Sequence, residues 1–466
     1  MRRTKIISTI GPSTNSKKTI SKLIKSGMNI ARINMAHVND YNELESTIDL
    51  IRAESKKKKK FVGIMLDIAG PKVRTKIPNQ SMKVSKGKKY KLGYGSKYDI
   101  PLSLKVSIDK SFIGYKIKID DGSLHFLINR VKDDFFEVTS SDTGLVYNGK
   151  GVNFPEIHTG LPVLTSKDRR DLEAISSMDI DFIALSFVKK GSDIKPVLNI
   201  LDKIKTKIPV IAKIERPEAI DNLDDIINTF AGILIARGDL GVEMPIENLP
   251  LMQKNIVNKC RVNNKPVIIA TQMLESMIEN PHPTRAEITD IASAIIEGCD
   301  AIMLSAETAT GKFPIEAVET MDRVSSNIEQ QIFDNKFGKT EKAFSDKYDI
   351  KSVISSAAKY IAHDLNINPI VVMTESGSTA LSMSNQRPDS EIIALSPFKR
   401  VCQKMTLYWG VEPCISKNFT DQSEMFLEIS KFIKKKKSLK KGDSYVIISG
   451  LLGVSGKTNM VKIHSV

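Results

Sequence analysis

The sequence predicts an α/β protein: a closed (β/α)8 barrel with an inserted all-β lid domain and a separate C-terminal α/β domain. Three observations carry this prediction. Eight short apolar runs rich in β-branched residues alternate with stretches of helical periodicity. Most of the runs end in polar or charged residues, as the active-site face of such a barrel requires. A long stretch between the third and fourth runs, from Pro71 to Gly160, changes to hairpin patterning.

In chain order the runs are KIISTI from Lys5, NIARIN from Asn29, FVGIMLD from Phe61 and DFIALSF from Asp181. PVIAKIE from Pro209, AGILIARGD from Ala231, PVIIATQ from Pro266 and AIMLSAE from Ala301 complete the set. Between the first two, KKTISKLIKSG shows helical spacing with Gly27 as a stop. The polar ends are Thr9, Arg32 and Asn34, Asp67, Ser186, Lys213 and Glu215, Arg237 and Asp239, Thr271 and Gln272, and Ser305 and Glu307. Lys213 with Glu215, and Arg237 with Asp239, are two apart, so an extended run turns both members to the same inward face.

Residues 1–70 and 161–339 form the barrel in this reading. Residues 71–160 form the insertion, where KVSKGKKYKLGYG, KIKIDDGSLHFLI and DFFEVTSSD read as strands joined by Gly and Asp turns. Its position after the third strand puts it above the catalytic face, as a lid. Residues 340–466 form the C-terminal domain, with NPIVVMTESGST as strand, loop and helix start. Thr374, Ser376, Ser378 and Thr379 in that loop can bind a phosphate through hydroxyls and backbone N–H groups, or cap the helix. GVSGKTN near the end lacks Walker A spacing.

Hydrophobic residues are 41% of 466 and charged residues 26%, the balance of a soluble globular protein. No apolar run is long enough to cross a bilayer, and the N-terminus does not read as a signal peptide. A cytoplasmic protein is expected. The net charge of +15 is concentrated in two lysine runs, Lys56–Lys60 and Lys434–Lys437, which follow helical patterns and suit helix C-termini. With 6% aromatics there is little to stack on bases, so nucleic acid is not the expected partner. Cys260, Cys299, Cys402 and Cys414 lack CxxC spacing.

Glu215 and Asp239, from neighbouring strand ends, make a hard oxygen site suited to Mg²⁺, or Mn²⁺ in its place. Lys213 beside them supplies a cation for a transferring phosphoryl group or an enolate oxygen. Arg32 and Arg74 offer guanidinium forks for phosphate. No Ser–His–acid set is apparent. Metal-assisted phosphoryl or enolate chemistry follows, in a kinase or in a lyase or mutase working through an enolate.

At these residues the chain resembles the pyruvate kinase family. TKIISTIGPST, GMNIARINMAH, LDIAGPKVRT, KGVNFP, LPVLTSKD, AKIERPEAIDN, ARGDLGVE, ATQMLESMIENPHPTRAEITD and IMLSAETATGKFP stand in that family's order. The resemblance covers essentially the whole chain and implies a TIM-barrel phosphotransferase acting on phosphoenolpyruvate and ADP in glycolysis. It implies that Glu215 and Asp239 ligate the divalent metal and that Lys213 stabilises the transition state. It further implies that Arg32 holds the substrate phosphate, and that Gly238, Asp239 and Thr271 hold the carboxylate. Ser305 and Glu307 match the proton relay, and Asn34, His37, Arg74 and Lys150 the nucleotide site. A homotetramer and a phosphorylated allosteric effector at the TESGST loop are also implied.

Two departures stand out. Where family members bind potassium, Asn34 and Asp67 remain, but Ala36, Ile68 and Lys72 replace oxygen ligands. Lys72 is expected to put its ammonium near Asn34 and Asp67, making potassium unnecessary, since two cations there would repel. In VNFPEIHTGLP, Glu156 and Gly160 depart from the usual residues at the lid's return hinge.

Overall fold

Lys5–Ile10 (β1), Ile30–Asn34 (β2), Gly63–Ile68 (β3) and Phe182–Leu185 (β4) are the first four barrel strands. Val210–Ile214 (β5), Gly232–Ala236 (β6), Val267–Ala270 (β7) and Ala301–Leu304 (β8) complete the barrel in this computed structural model, which describes residues 2–155, 157–334, 349–440, 442–450 and 458–465. The eight strands close in sequence order, all parallel, β1 pairing with both β2 and β8. Strands covered on both faces must be apolar throughout, and β3, β5 and β7 are buried along their whole length. Most polar side chains of the strands therefore fall toward their C-terminal ends, which is why the sequence marks them so clearly.

The insertion is a domain with its own core, packed around Phe126, Phe136 and Phe154. Its main sheet has six strands in the order Val152–Asn153, Lys116–Ile119, Leu124–Val131, Phe135–Ser140, Lys89–Tyr94, Ile100–Leu102. A second, two-stranded sheet pairs Ser81–Val84 with Gly144–Tyr147.

The C-terminal domain is a five-stranded sheet in the order Val411–Ile415, Ile392–Ser396, Ile370–Met373, Ser444–Gly450, Thr458–Ser465, the last strand antiparallel. The expected boundary at residues 339–340 and most of the glycine-rich GVSGKTN segment lie outside the described residues. Both lysine runs sit at helix ends, after Tyr41–Lys57 and in the last turn of Gln422–Lys437. No helix among the described residues is long and apolar enough to cross a membrane.

Barrel and C-terminal domain meet at the barrel's N-terminal end. A Cβ on Gly63 would lie 2.5 Å from Thr406 Oγ1, so only glycine fits there. Lys5 Nζ donates to the Val411 carbonyl at 2.7 Å, and Arg387 pairs with Asp300 at 3.0 Å. Buried Glu329 accepts from the backbone N–H groups of Arg3 and Thr4, each at 2.6 Å, and from Thr4 Oγ1 at 2.6 Å. Glu329→Ala would leave two N–H groups unpaired beside β1. We expect a loss of about 2–3 kcal/mol, read as a lowered denaturant midpoint.

Candidate active site

Asp67, at the end of β3, is the hub of the barrel mouth. It is 1% exposed and faces two cations. Arg32 donates from Nε to Asp67 Oδ2 at 2.8 Å, and Lys213 Nζ lies 3.1 Å from Oδ1. Arg32 also donates to Thr9 Oγ1 at 2.8 Å, and Lys213 to Ser186 Oγ at 2.8 Å. Burial opposes the charge on Asp67, yet Lys213 and Arg32 hold its carboxyl below the ordinary range. Burial likewise opposes the charge on Lys213, but Asp67 and Glu215 hold its ammonium above the usual lysine value. Both groups are thus charged at neutral pH.

Glu215 follows β5 and takes the other side of Lys213, at 2.8 Å. Its second oxygen accepts from the Phe187 N–H at 2.9 Å. Burial, opposed by Lys213 and reinforced by the negative charge of Asp239, raises the Glu215 pKa. Two carboxylates close enough to repel each other fit a shared hard cation, and Mg²⁺ typically takes only one or two from the protein.

Lys72 is not where the sequence suggested. Its Nζ donates to Asp239 Oδ1 at 2.8 Å, whereas the bonds to Asp67 come from Arg32, Lys213 and Ser186. Asn34 turns its side-chain oxygen to the N–H of Ala36, capping a short helical turn. The expected cluster of Lys72 with Asn34 and Asp67 is replaced by a Lys72–Asp239 ion pair, because the long lysine side chain reaches across the mouth to the second carboxylate.

The equivalence of the two spaced pairs also fails. β6 ends at Ala236, and Arg237–Glu243 is helical, so the period-two rule stops before Arg237. Arg237 turns instead to Asp290 at 2.6 Å and to the Thr271 carbonyl at 2.6 Å. Thr271 has φ +70°, an unusual backbone state for a β-branched residue, and its Oγ1 accepts from the Gly238 N–H at 2.7 Å. Thr271, Gly238 and Asp239 therefore form one continuous edge of the mouth. Glu307 is 2% exposed and accepts from the N–H groups of Ser305 at 2.7 Å and Leu274 at 3.3 Å. Burial raises its pKa.

Arg74 and Lys150 come together at the lid's base. Arg74 bridges to Gly151 and donates to the Gly149 carbonyl at 2.8 Å, while Lys150 pairs with Asp120 at 2.8 Å. His37 is exposed on the loop after β2. The lid leans on the short helix after β6, with Lys118 Nζ on the Val242 carbonyl at 2.6 Å and Asn153 on Glu243 at 2.7 Å. Glu156 lies outside the described residues; Gly160 has φ +65°. In the C-terminal loop, Thr374 Oγ1 accepts from the Gly377 N–H at 2.9 Å and Thr379 bonds Thr458 at 2.6 Å. Ser376 and Ser378 bond each other at 3.2 Å, and Ser376 is exposed. Gly377, rather than either serine, occupies the N-cap position.

Sequence reading gave no site role to Thr9, Ser186, Arg237 or Asp290. The first three were visible as polar strand ends. Asp290 sits on the helix Arg285–Glu297, and no spacing connects it to the mouth.

Residues 1–318 match the family model of the pyruvate kinase barrel domain, and residues 352–464 that of the pyruvate kinase alpha/beta domain. The chain is 38% identical to a pyruvate kinase of Clostridium acetobutylicum over the full length of both. It is 37% identical to one of Staphylococcus epidermidis, covering all of this chain and 81% of that one. A crystal structure of a pyruvate kinase from Cryptosporidium parvum superposes with a TM-score of 0.91 at 33% identity, covering 100% of this chain and 96% of that one.

Removing the hub carboxylate leaves two buried cations facing each other. Asp67→Ala should cost about 3–5 kcal/mol in chemical denaturation. A loss below about 1 kcal/mol would show that the mouth relaxes without it.

Proposed function

The chain belongs to the pyruvate kinase family and transfers the phosphoryl group of phosphoenolpyruvate to ADP, giving pyruvate and ATP; from that premise we propose how its own residues divide the work. The observation carrying the proposal is the ammonium of Lys213, bracketed by Asp67 and Glu215 at the floor of the mouth. Loose phosphoryl transfer needs positioning and charge neutralisation more than covalent chemistry. Lys213 faces the charge that develops on the transferring group. Arg32, steered by Asp67 and Thr9, grips the substrate phosphate with its fork.

Glu215 and Asp239 would hold the divalent cation, Mg²⁺ with Mn²⁺ as a substitute, which would neutralise charge on the donor's oxygens. Thr271 Oγ1 with the N–H groups of Gly238 and Asp239 orients the substrate carboxylate, which takes over the Gly238 N–H from Thr271 Oγ1 on binding. Arg237 fixes that edge by holding the Thr271 carbonyl. Ser305 and Glu307 border the face where enolpyruvate takes up its proton. Burial raises the Glu307 pKa, which favours its protonated form beside that face. Asn34, His37, Arg74 and Lys150 receive the nucleotide, one from the end of β2, one from the loop after it and two from the lid base. Lid closure there excludes water and limits hydrolysis of the donor.

Independence from potassium rests on Ala36 and Ile68, which offer no side-chain oxygen to the ion, while Lys72 spends its charge on Asp239. The reaction places the enzyme in glycolysis, in the cytoplasm. Exposed Ile246, Leu251 and Ile350 provide apolar surface for a homotetramer. The TESGST loop, with Ser376 and Ser378 free of the sheet, is the seat of a phosphorylated allosteric effector. Residues 71–160 act as the lid and 340–466 as the effector domain.

Lys213→Met should keep the circular-dichroism spectrum and lose about 10²–10³ in turnover. Near-normal rates would remove Lys213 from the chemistry. In a coupled assay in tetramethylammonium buffer, added potassium should leave turnover unchanged, and strong stimulation would contradict that independence.

A further inference from the structure

The helix Ser166–Ala174 starts where the chain returns from the lid, and three of its polar side chains leave it for other elements. Lys167 Nζ donates to the Met35 carbonyl at 2.7 Å and to the two oxygens of Asp171 at 2.8 and 3.0 Å. Asp171 is 0% exposed, and its Oδ1 also accepts from the Tyr41 hydroxyl at 2.8 Å. Met35 and Tyr41 stand at the two ends of the loop after β2. One ion pair thus grips that loop at both ends. Asp168, one position on, divides its oxygens between the Thr165 cap and, at 3.3 Å, the Gly70 N–H, where the chain departs for the lid.

An exposed Lys–Asp pair four apart on a helix stabilises it by only about 0.3–0.5 kcal/mol. This pair is different, since its carboxylate is buried and both members spend bonds on another segment. Charge-assisted bonds of this kind fix geometry as well as adding energy. Burial, with the bond to Asp171, pushes the Tyr41 phenol up to about 12, so it remains a donor throughout the working range.

We propose that Lys167 and Asp171 are a positioning pair for the acceptor nucleotide, holding the loop that follows Asn34 and carries His37. The proposal rests on reading that loop as part of the nucleotide site. Neither member touches substrate; both act through Met35 and Tyr41. Because the same helix anchors the lid's departure and return, the pair keeps the two halves of the nucleotide site, loop and lid base, in register.

Steady-state kinetics test this with both substrates varied. Lys167→Met should raise KM for ADP about tenfold, the worth of one charge-assisted bond, with kcat and KM for phosphoenolpyruvate within about twofold of the parent. Lys167→Arg should restore most of the loss. Tyr41→Phe, which removes one hydroxyl without stranding a charge, should raise the same constant about two- to threefold. An unchanged KM for ADP in folded Lys167→Met would overturn the proposal, as would a uniform fall in all parameters that Lys167→Arg fails to rescue. His37→Ala separates the two levels. If it raises KM for ADP while Lys167→Met does not, only the pair's role falls. If His37→Ala leaves KM for ADP unchanged, the nucleotide reading of the loop falls and the proposal falls with it.

Discussion

A buried carboxylate between a guanidinium and an ammonium sets the geometry of this enzyme. Asp67 is shut away from water, so its charge persists only because Arg32 and Lys213 lie within about 3 Å of it. The same contacts aim both cations. Arg32 cannot swing toward solvent without stranding Asp67, nor can Lys213 without stranding Asp67 and Glu215. Cations locked in this way would meet a phosphoryl group with little reorganisation, the condition under which electrostatic stabilisation is strongest.

The barrel makes this arrangement reachable. Closing eight parallel strands forces their polar ends to one level, so that groups from β2, β3 and β5 converge although distant in sequence. The turn into helix immediately after β6 separates the tasks of Arg237 and Asp239: one braces Thr271 in its left-handed conformation, the other faces the mouth. The lid adds Lys72 from its base and rests on that same helix through Lys118 and Asn153. Strand ends, helix start and lid base therefore share their supports.

Much of this was legible in the sequence. Strands covered on both faces leave no place for a polar residue except their ends, so Arg32, Asp67, Lys213 and Glu215 announced themselves. Alternation predicts orientation only while a strand lasts, which is why the expectation that Arg237, one residue past β6, shares an inward face with Asp239 fails. The partner of Lys72 was out of reach for a different reason: a four-carbon side chain at the root of an inserted domain finds its carboxylate by tertiary docking, which no local pattern encodes. The same holds for Asp290, and for the grip of Lys167 on Met35, where donor and acceptor sit on separate elements.

The shared cation of Glu215 and Asp239 is the claim most directly open to measurement. Manganese titrated into the purified protein and followed by electron paramagnetic resonance should report one tight site per chain. Glu215→Gln and Asp239→Asn should each weaken that site by an order of magnitude or more. Full-strength binding in the double variant would contradict the assignment of the metal to these two side chains.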